Sequence, residues 1–171
     1  GAGMIGLALV QALSRAGCGR LIVVDIADDR LALAAKFGAT NTINSSAEDV
    51  PGAILSLTQG LGADLAFEAV GVPATVDLVL RCVRKGGSVT LVGNVTPKVE
   101  FPLQTAVTRE LTLYGSCASQ GEYPACLAML ERGALQAAPL ISAVAPLEEG
   151  AAWFDRLYRK EPGLLKVVLT P

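Results

Sequence analysis

Short, unbroken apolar runs alternate with helix-period segments along almost the whole chain, and that alternation limits the fold more than any other feature. LIVVD (residues 21–25) is a buried-strand run ending in a charge, and TNTIN, ADLAFEAVG, SVTLVG, ELTLYG and KVVLT follow it in order. Between them lie segments of helical period. Met4 to Ala16 is apolar on most faces and is closed by Gly17. Asp28 is placed to cap DDRLALAAKF, which stops at Gly38, and Ser45-x-x-Glu48 offers a capping box ahead of VPGAILSLTQ. Pro73 opens a helix with Val76, Val79, Leu80 and Val83 on one face, and Gly86-Gly87 turns the chain into SVTLVG. A loop around Pro97 and Pro102 leads to ELTLYG. Helices near Tyr123 to Glu131 and over EEGAAWFDRLYR precede the last strand. Strands separated by helices imply parallel strands joined by right-handed crossovers, hence an α/β, doubly wound parallel sheet. The chain is 51% hydrophobic but only 5% aromatic, so its core is built from Ala, Val, Leu and Ile, which suits strands buried on both faces.

Composition also removes several function classes. A net charge of −2 gives no reason to expect nucleic acid as a partner. No apolar run reaches the roughly 18 residues that a spanning helix needs, so no membrane partner is expected. Cys18, Cys82, Cys117 and Cys126 are scattered without a C-x-x-C pair, which predicts free thiols and a cytoplasmic location. The glycosylation-like triplets at Asn44 and Asn94 are then chance matches. The chain contains no histidine, which excludes Ser-His-Asp and Cys-His nucleophile systems and any His-built zinc site. Any reactive chemistry has to come from a cofactor or from another segment, so no catalytic residue and no metal ligand is assigned within these residues.

GAGMIG, Gly1 to Gly6, is a G-x-G-x-x-G turn of the kind found between a strand and a helix. In such a turn Gly1 allows the tight bend, Gly3 leaves room for a pyrophosphate, and Gly6 lets the helix lie close to the sheet. The helix beginning here would aim free N–H groups and its positive dipole end at the phosphates. Nineteen residues after Gly6 comes Asp25, ending the LIVVD strand, where a carboxylate can accept both hydroxyls of an adenosine ribose. Two plainer readings stay open: small residues for close helix–strand packing, and Asp25 as a loop or capping acid.

Taken in order, GAGMIGL, LIVVDIADDRLALAAKFGAT, GADLAFEAVG, KGGSVTLVG, ELTLYGS and LKVVLTP resemble a medium-chain, zinc-type alcohol/polyol dehydrogenase, nearest the sorbitol, threonine and galactitol-phosphate branch. The resemblance covers essentially the whole chain but only the C-terminal, NAD-binding part of such an enzyme. It implies a Rossmann domain whose cofactor is NAD, with Gly1, Gly3, Met4, Ile5 and Gly6 around the pyrophosphate. It places Asp25 on the adenosine ribose and Arg30 near the same ribose or the adenine edge. Val70, Gly71, Val92, Gly93 and Asn94 would line the nicotinamide side. Ser116, Cys117 and Ala118 would bring backbone to the carboxamide, and Lys166 would reach the pyrophosphate. For these last groups, ordinary strand-end loops and a solvated lysine remain the alternatives.

The resemblance further implies hydride transfer between NAD and a small-molecule alcohol, a polyol or other secondary alcohol. Zinc would assist from an N-terminal zinc and substrate domain outside these residues. The 171 residues then form one truncated NAD-binding domain, with a Rossmann core over about 1–118 and a C-terminal helix and strand segment over about 119–171. The first, central strand of the sheet is expected upstream of Gly1. Asp25 should favour NAD over NADP, and the 110–118 strand should be a sheet edge that pairs with a second copy in a homo-oligomer. A zinc-free quinone-reductase-like enzyme and a non-catalytic nucleotide-sensing module stay open as alternatives. A methyltransferase shares the glycine turn and the strand-end acid but has no need of the VGN and GSCA loops. A short-chain dehydrogenase is set aside, because no tyrosine is followed four residues later by lysine.

Overall fold

The computed structural model describes residues 1–171, which divide into two compact units, Gly1–Ser119 and Gln120–Pro171. The first unit carries α1 (Met4–Arg15), β1 (Ile22–Asp25), α2 (Asp28–Lys36), β2 (Asn41–Asn44) and α3 (Val50–Leu57). It continues with β3 (Ala63–Glu68), α4 (Pro73–Cys82), β4 (Val83–Leu91), α5 (Leu103–Thr108) and β5 (Thr112–Gly115). The second carries α6 (Tyr123–Glu131), β6 (Ala143–Pro146), α7 (Gly150–Tyr158) and β7 (Val167–Thr170).

Every strand pairing is parallel, as the alternation predicts. β1 pairs with β2 from Ile22 opposite Asn41 to Asp25 opposite Asn44. β4 lies between β3 and β5, with Val89 opposite Ala66 on one side and Leu113 on the other. No pairing joins β1 to β3, so the first unit holds two sheets, β2-β1 and β3-β4-β5, with the β1 and β3 edges unpaired. This interruption falls where the sequence reading places a central strand. In the second unit β6 and β7 pair in parallel, with α7 between them in sequence.

Helix α4 shows how the apolar pattern is used. Val76 and Leu80, one turn apart, join Val83 and Val89 in one buried cluster, against Ala66, Val79 and Leu91. Leu78 and Cys82, also four apart, face a second cluster of Ile43, Val50 and Ile54. The helix therefore buries two stripes. Full burial of a side chain such as Leu80 contributes about 1.5–3 kcal/mol. Burial pushes the Cys82 thiol up to about 11, which keeps it neutral and unreactive, whereas Cys18, Cys117 and Cys126 are exposed.

Local details depart from expectation where a tertiary partner outcompetes a local signal. Asp28 is the first helical residue of α2, not its cap; Ala27 holds that place, and the Asp28 carboxylate instead accepts from Asn44 Nδ2 at 2.6 Å. The Ser45-x-x-Glu48 capping box does not form, because α3 starts after Asp49 and Glu48 Oε1 accepts the Asn44 N–H at 3.3 Å. Strand β4 begins at Val83 and runs through Gly86-Gly87, with a register shift opposite Ala63 and Leu65. Gly86 sits at φ +70°, a left-handed conformation that bends the strand without breaking it. Helix α5, six residues long and following Pro102, and strand β6, four residues ending in Pro146, carried too little period to be read.

Candidate functional site

The glycine turn and the start of α1 present free backbone donors. Gly3 is the N-cap of α1 in an extended conformation, no side chain caps it, and the first turn carries no acid. Leu7 N–H returns to the Gly3 carbonyl at 2.8 Å, so the N–H groups ahead of it have no acceptor within the helix. A helix start of this kind attracts an anion through its donors and its dipole. A Cβ at Gly3 would meet no atom within 4 Å, so open space lies beside those donors. Met4 is half-buried, and Ile5 is 54% exposed at the same helix start.

The other two glycines do a different job from the one the motif suggests. A Cβ at Gly6 would collide with the Gly1 carbonyl and lie 2.9 Å from the Gly1 carbonyl carbon. Gly6 therefore serves the closure of the turn on itself. A Cβ at Gly1 would lie 2.5 Å from Val70 Cγ2 and 3.9 Å from Asp25 Oδ2, so this residue is wedged between the ends of β1 and β3.

Asp25 ends β1 and is buried. Its Oδ2 accepts the Ala2 N–H at 2.6 Å, and its Oδ1 accepts the N–H groups of Ile26 at 2.8 Å and Ala27 at 3.0 Å. The carboxylate thus holds the glycine turn against the strand end and leads the chain into α2. A carboxylate has about four acceptor positions. Three are filled, leaving one on Oδ2 for a ligand hydroxyl, fewer than the two hydroxyls expected from sequence. Arg30 is the third residue of α2, half-buried, and enters none of the four ion pairs of the structure.

On the far side of the turn, the ends of β3 and β4 meet backbone to backbone. Gly71 has φ +83°, and a Cβ there would collide with Gly93 and Asn94 backbone; one at Gly93 would collide with Val70 and Gly71. Only glycine fits either position at this separation. Val70, Gly71, Val92, Gly93 and Asn94 are therefore brought together, with Val70 also against Gly1. Ser116 N–H donates to the Leu91 carbonyl at 3.0 Å, which brings the segment after β5 alongside the end of β4. Cys117 and Ala118 follow it, exposed, with Ala118 at φ +52°. Lys166 belongs to the second unit, where its carbonyl accepts the Ser142 N–H at 2.7 Å ahead of β7. Glu68, which the sequence reading passed over, organises the ends of β3 and β4. Its signal was legible: an acid ending an apolar strand, one residue ahead of a V-G turn, as Asp25 ends the earlier strand.

No group of three or more His, Cys, Asp or Glu side chains converges to hold a metal ion, so these residues do not fit a zinc site. No helix is long and apolar enough to cross a membrane.

Comparison with known proteins agrees with this geometry. The family model described as "Zinc-binding dehydrogenase" matches residues 5–132. Sorbitol dehydrogenase of Bacillus subtilis (strain 168) is 32% identical, the match covering 100% of this chain and 49% of the relative. The crystal structure of L-idonate 5-dehydrogenase from Escherichia coli K-12 superposes with a TM-score of 0.90 at 27% identity, over 100% of this chain and 48% of that one. Alcohol dehydrogenase from Thermus sp. ATN1 gives a TM-score of 0.88 at 36% identity, over 99% of this chain and 49% of that one. The chain thus spans about half the length of the relatives it matches. With its parallel strands, its glycine turn and its strand-end acids, it belongs to the zinc-binding dehydrogenase family.

Proposed function

We propose that this chain is the NAD-binding part of a dehydrogenase that transfers a hydride between NAD and a small alcohol, a polyol or other secondary alcohol. The observation that carries the reading is the uncapped start of α1 beside open space at Gly3, with Asp25 on one side and the Val70–Gly71 turn on the other. The N–H groups at the start of α1, over Met4, Ile5 and Gly6, would hold the pyrophosphate. Asp25 would take a ribose hydroxyl on its remaining acceptor position, with Arg30 nearby on α2. Val70, Gly71, Val92, Gly93, Asn94 and the Ser116–Ala118 backbone would line the nicotinamide half. When bound, NAD supplies the carbon that accepts the hydride; the chain's part is to hold and orient it. The zinc of the family would be held outside these residues, in an N-terminal domain, with a further strand entering the sheet between β1 and β3. A cytoplasmic location fits the scattered thiols.

The expected result is a preference for NADH over NADPH of at least tenfold in the full-length protein. The extra phosphate of NADPH would sit beside the Asp25 carboxylate, and two unit charges about 4 Å apart repel by roughly 4 kcal/mol at an effective dielectric near 20. Tenfold needs only about 1.4 kcal/mol, so the preference survives heavy screening. Asp25→Ser should weaken NADH binding and narrow the ratio. Calorimetric titration of both cofactors checks this, and equal affinities in the unmutated protein would remove Asp25 from the ribose.

Strand β5 supports a homo-oligomer as the working form. All four of its residues are exposed, with Leu113 at 38% and Tyr114 at 54%, and it pairs only with β4. Such an edge is ordinarily covered, and a symmetric copy of residues 110–118 would cover it. Light scattering on the full-length protein at micromolar concentration should report a dimer or larger; a monomer would count against this interface.

A further inference from the structure

Glu68 is only 3% exposed and closes β3, yet it is not among the residues proposed to touch substrate or cofactor. Both of its carboxylate oxygens are committed to backbone. Oε1 accepts the N–H of Val70 at 2.9 Å and of Gly71 at 3.0 Å, while Oε2 accepts the same Gly71 N–H at 2.9 Å. Its main-chain carbonyl faces the neighbouring strand end, accepting the N–H of Val92 at 2.8 Å and of Gly93 at 2.9 Å. The Gly71 carbonyl then takes the Thr96 N–H at 2.9 Å. One residue therefore ties the turn after β3 to the loop after β4.

The tie matters because Glu68 is the one side chain bonded within this junction, which is otherwise held by main-chain bonds alone. They meet through glycine backbone, at a separation that leaves no room for even one methyl group on Gly71 or Gly93. Asp25 plays the matching part on the other side of Gly1, where its carboxylate gathers Ala2, Ile26 and Ala27. Each side of the glycine turn is thus shaped by one buried carboxylate bonded to main-chain donors, a charge-assisted arrangement that suits an ion removed from water.

We infer that Glu68 is a positioning residue that sets the nicotinamide half of the cofactor site, while Asp25 sets the adenosine half. The inference rests on the dinucleotide reading, because only a ligand spanning both strand ends would sense the two carboxylates separately. Glu68→Gln tests it with little change of shape. The amide puts an NH₂ group where one oxygen stood, and that donor faces the Gly71 N–H, itself a donor. The turn after β3 then keeps only the bonds that one oxygen can accept and gains a donor–donor conflict, whereas the Asp25 network is untouched.

The experiment titrates the full-length protein and Glu68→Gln with ADP-ribose, which lacks the nicotinamide, and with NADH, followed by its fluorescence. ADP-ribose affinity should stay within about twofold. NADH affinity should fall tenfold or more, with loss of the fluorescence change that reports an enclosed nicotinamide. ADP-ribose binding also certifies the fold of the variant. Should Glu68→Gln fail to fold, Glu68→Asp, which withdraws the carboxylate by one methylene, carries the same expectation. Equal weakening of both ligands, or of neither, overturns the role of Glu68 and leaves the dinucleotide reading standing. An unmutated protein that binds neither ligand overturns both.

Discussion

Expressed with nothing upstream of Gly1, the 171-residue chain is expected to show no cooperative thermal transition and to aggregate on warming. Strands β1 and β3 each present an edge that no strand of the chain pairs with. An inner strand of a parallel sheet is ordinarily flanked on both sides and covered on both faces, whereas here Leu65 of β3 is 62% exposed. Leaving a buried backbone donor or acceptor unpaired costs about 1–3 kcal/mol. A handful of such groups equals the roughly 5–15 kcal/mol by which a whole domain is stable. Water entering the gap would satisfy the polar groups but wet the apolar side chains beside them, including Val23, now 6% exposed. Free strand edges also invite pairing between copies. Circular dichroism melts of the bare chain and of the full-length protein make the comparison. A single sharp transition above about 50 °C in the bare chain would show that the β1–β3 gap carries no such penalty.

Gly3→Ala and Gly6→Ala in the full-length protein should separate binding from folding. At Gly3 the φ of −72° suits alanine, and the added methyl meets nothing within 4 Å. The melting temperature should hold, or rise slightly, since the unfolded chain loses freedom worth about 0.4–1 kcal/mol. Dinucleotide affinity should fall by at least tenfold, because the methyl fills the space beside the helix donors. At Gly6 the methyl meets the Gly1 carbonyl, which is backbone and cannot rotate away. Overpacking of this kind costs about 1–3 kcal/mol or more. Both the melting temperature and the affinity should drop, the affinity by up to about a hundredfold if the full cost falls on the bound state. Melts paired with NADH titrations read both effects. Undiminished NADH binding in Gly3→Ala would mean that no phosphate occupies the space at that turn.

Much of this protein was legible in the chain itself. The α/β class, the parallel strands and most helix boundaries follow from period and punctuation. Helix α1 ends one residue short of the expected Ala16, and β2 starts one residue inside TNTIN. These features are local, set by neighbours a few positions away, so a pattern along the sequence suffices to encode them. The glycine turn and Asp25 were legible for the same reason, as residue types spaced along one strand–helix–strand unit.

What the tertiary structure decided is who meets whom across elements. Gly6 reads as a glycine for the sheet, but the atom it must clear is the Gly1 carbonyl. Asp25 reads as an acceptor for two hydroxyls, yet three backbone N–H groups already occupy most of its capacity. The Ser45-x-x-Glu48 box lost because helix α3 starts later, leaving Glu48 to bond Asn44. Strand β6, with its small residues and closing proline, exists through its pairing with β7 more than twenty positions on. Glu68 is legible as a strand-end acid, but its main-chain partners emerge only from the backbone contact between the ends of β3 and β4. The physical reason is common to all of these. Main-chain donors and acceptors carry no residue identity, so the pattern of side chains along a sequence cannot say which of them a buried carboxylate, a glycine or a short strand will find.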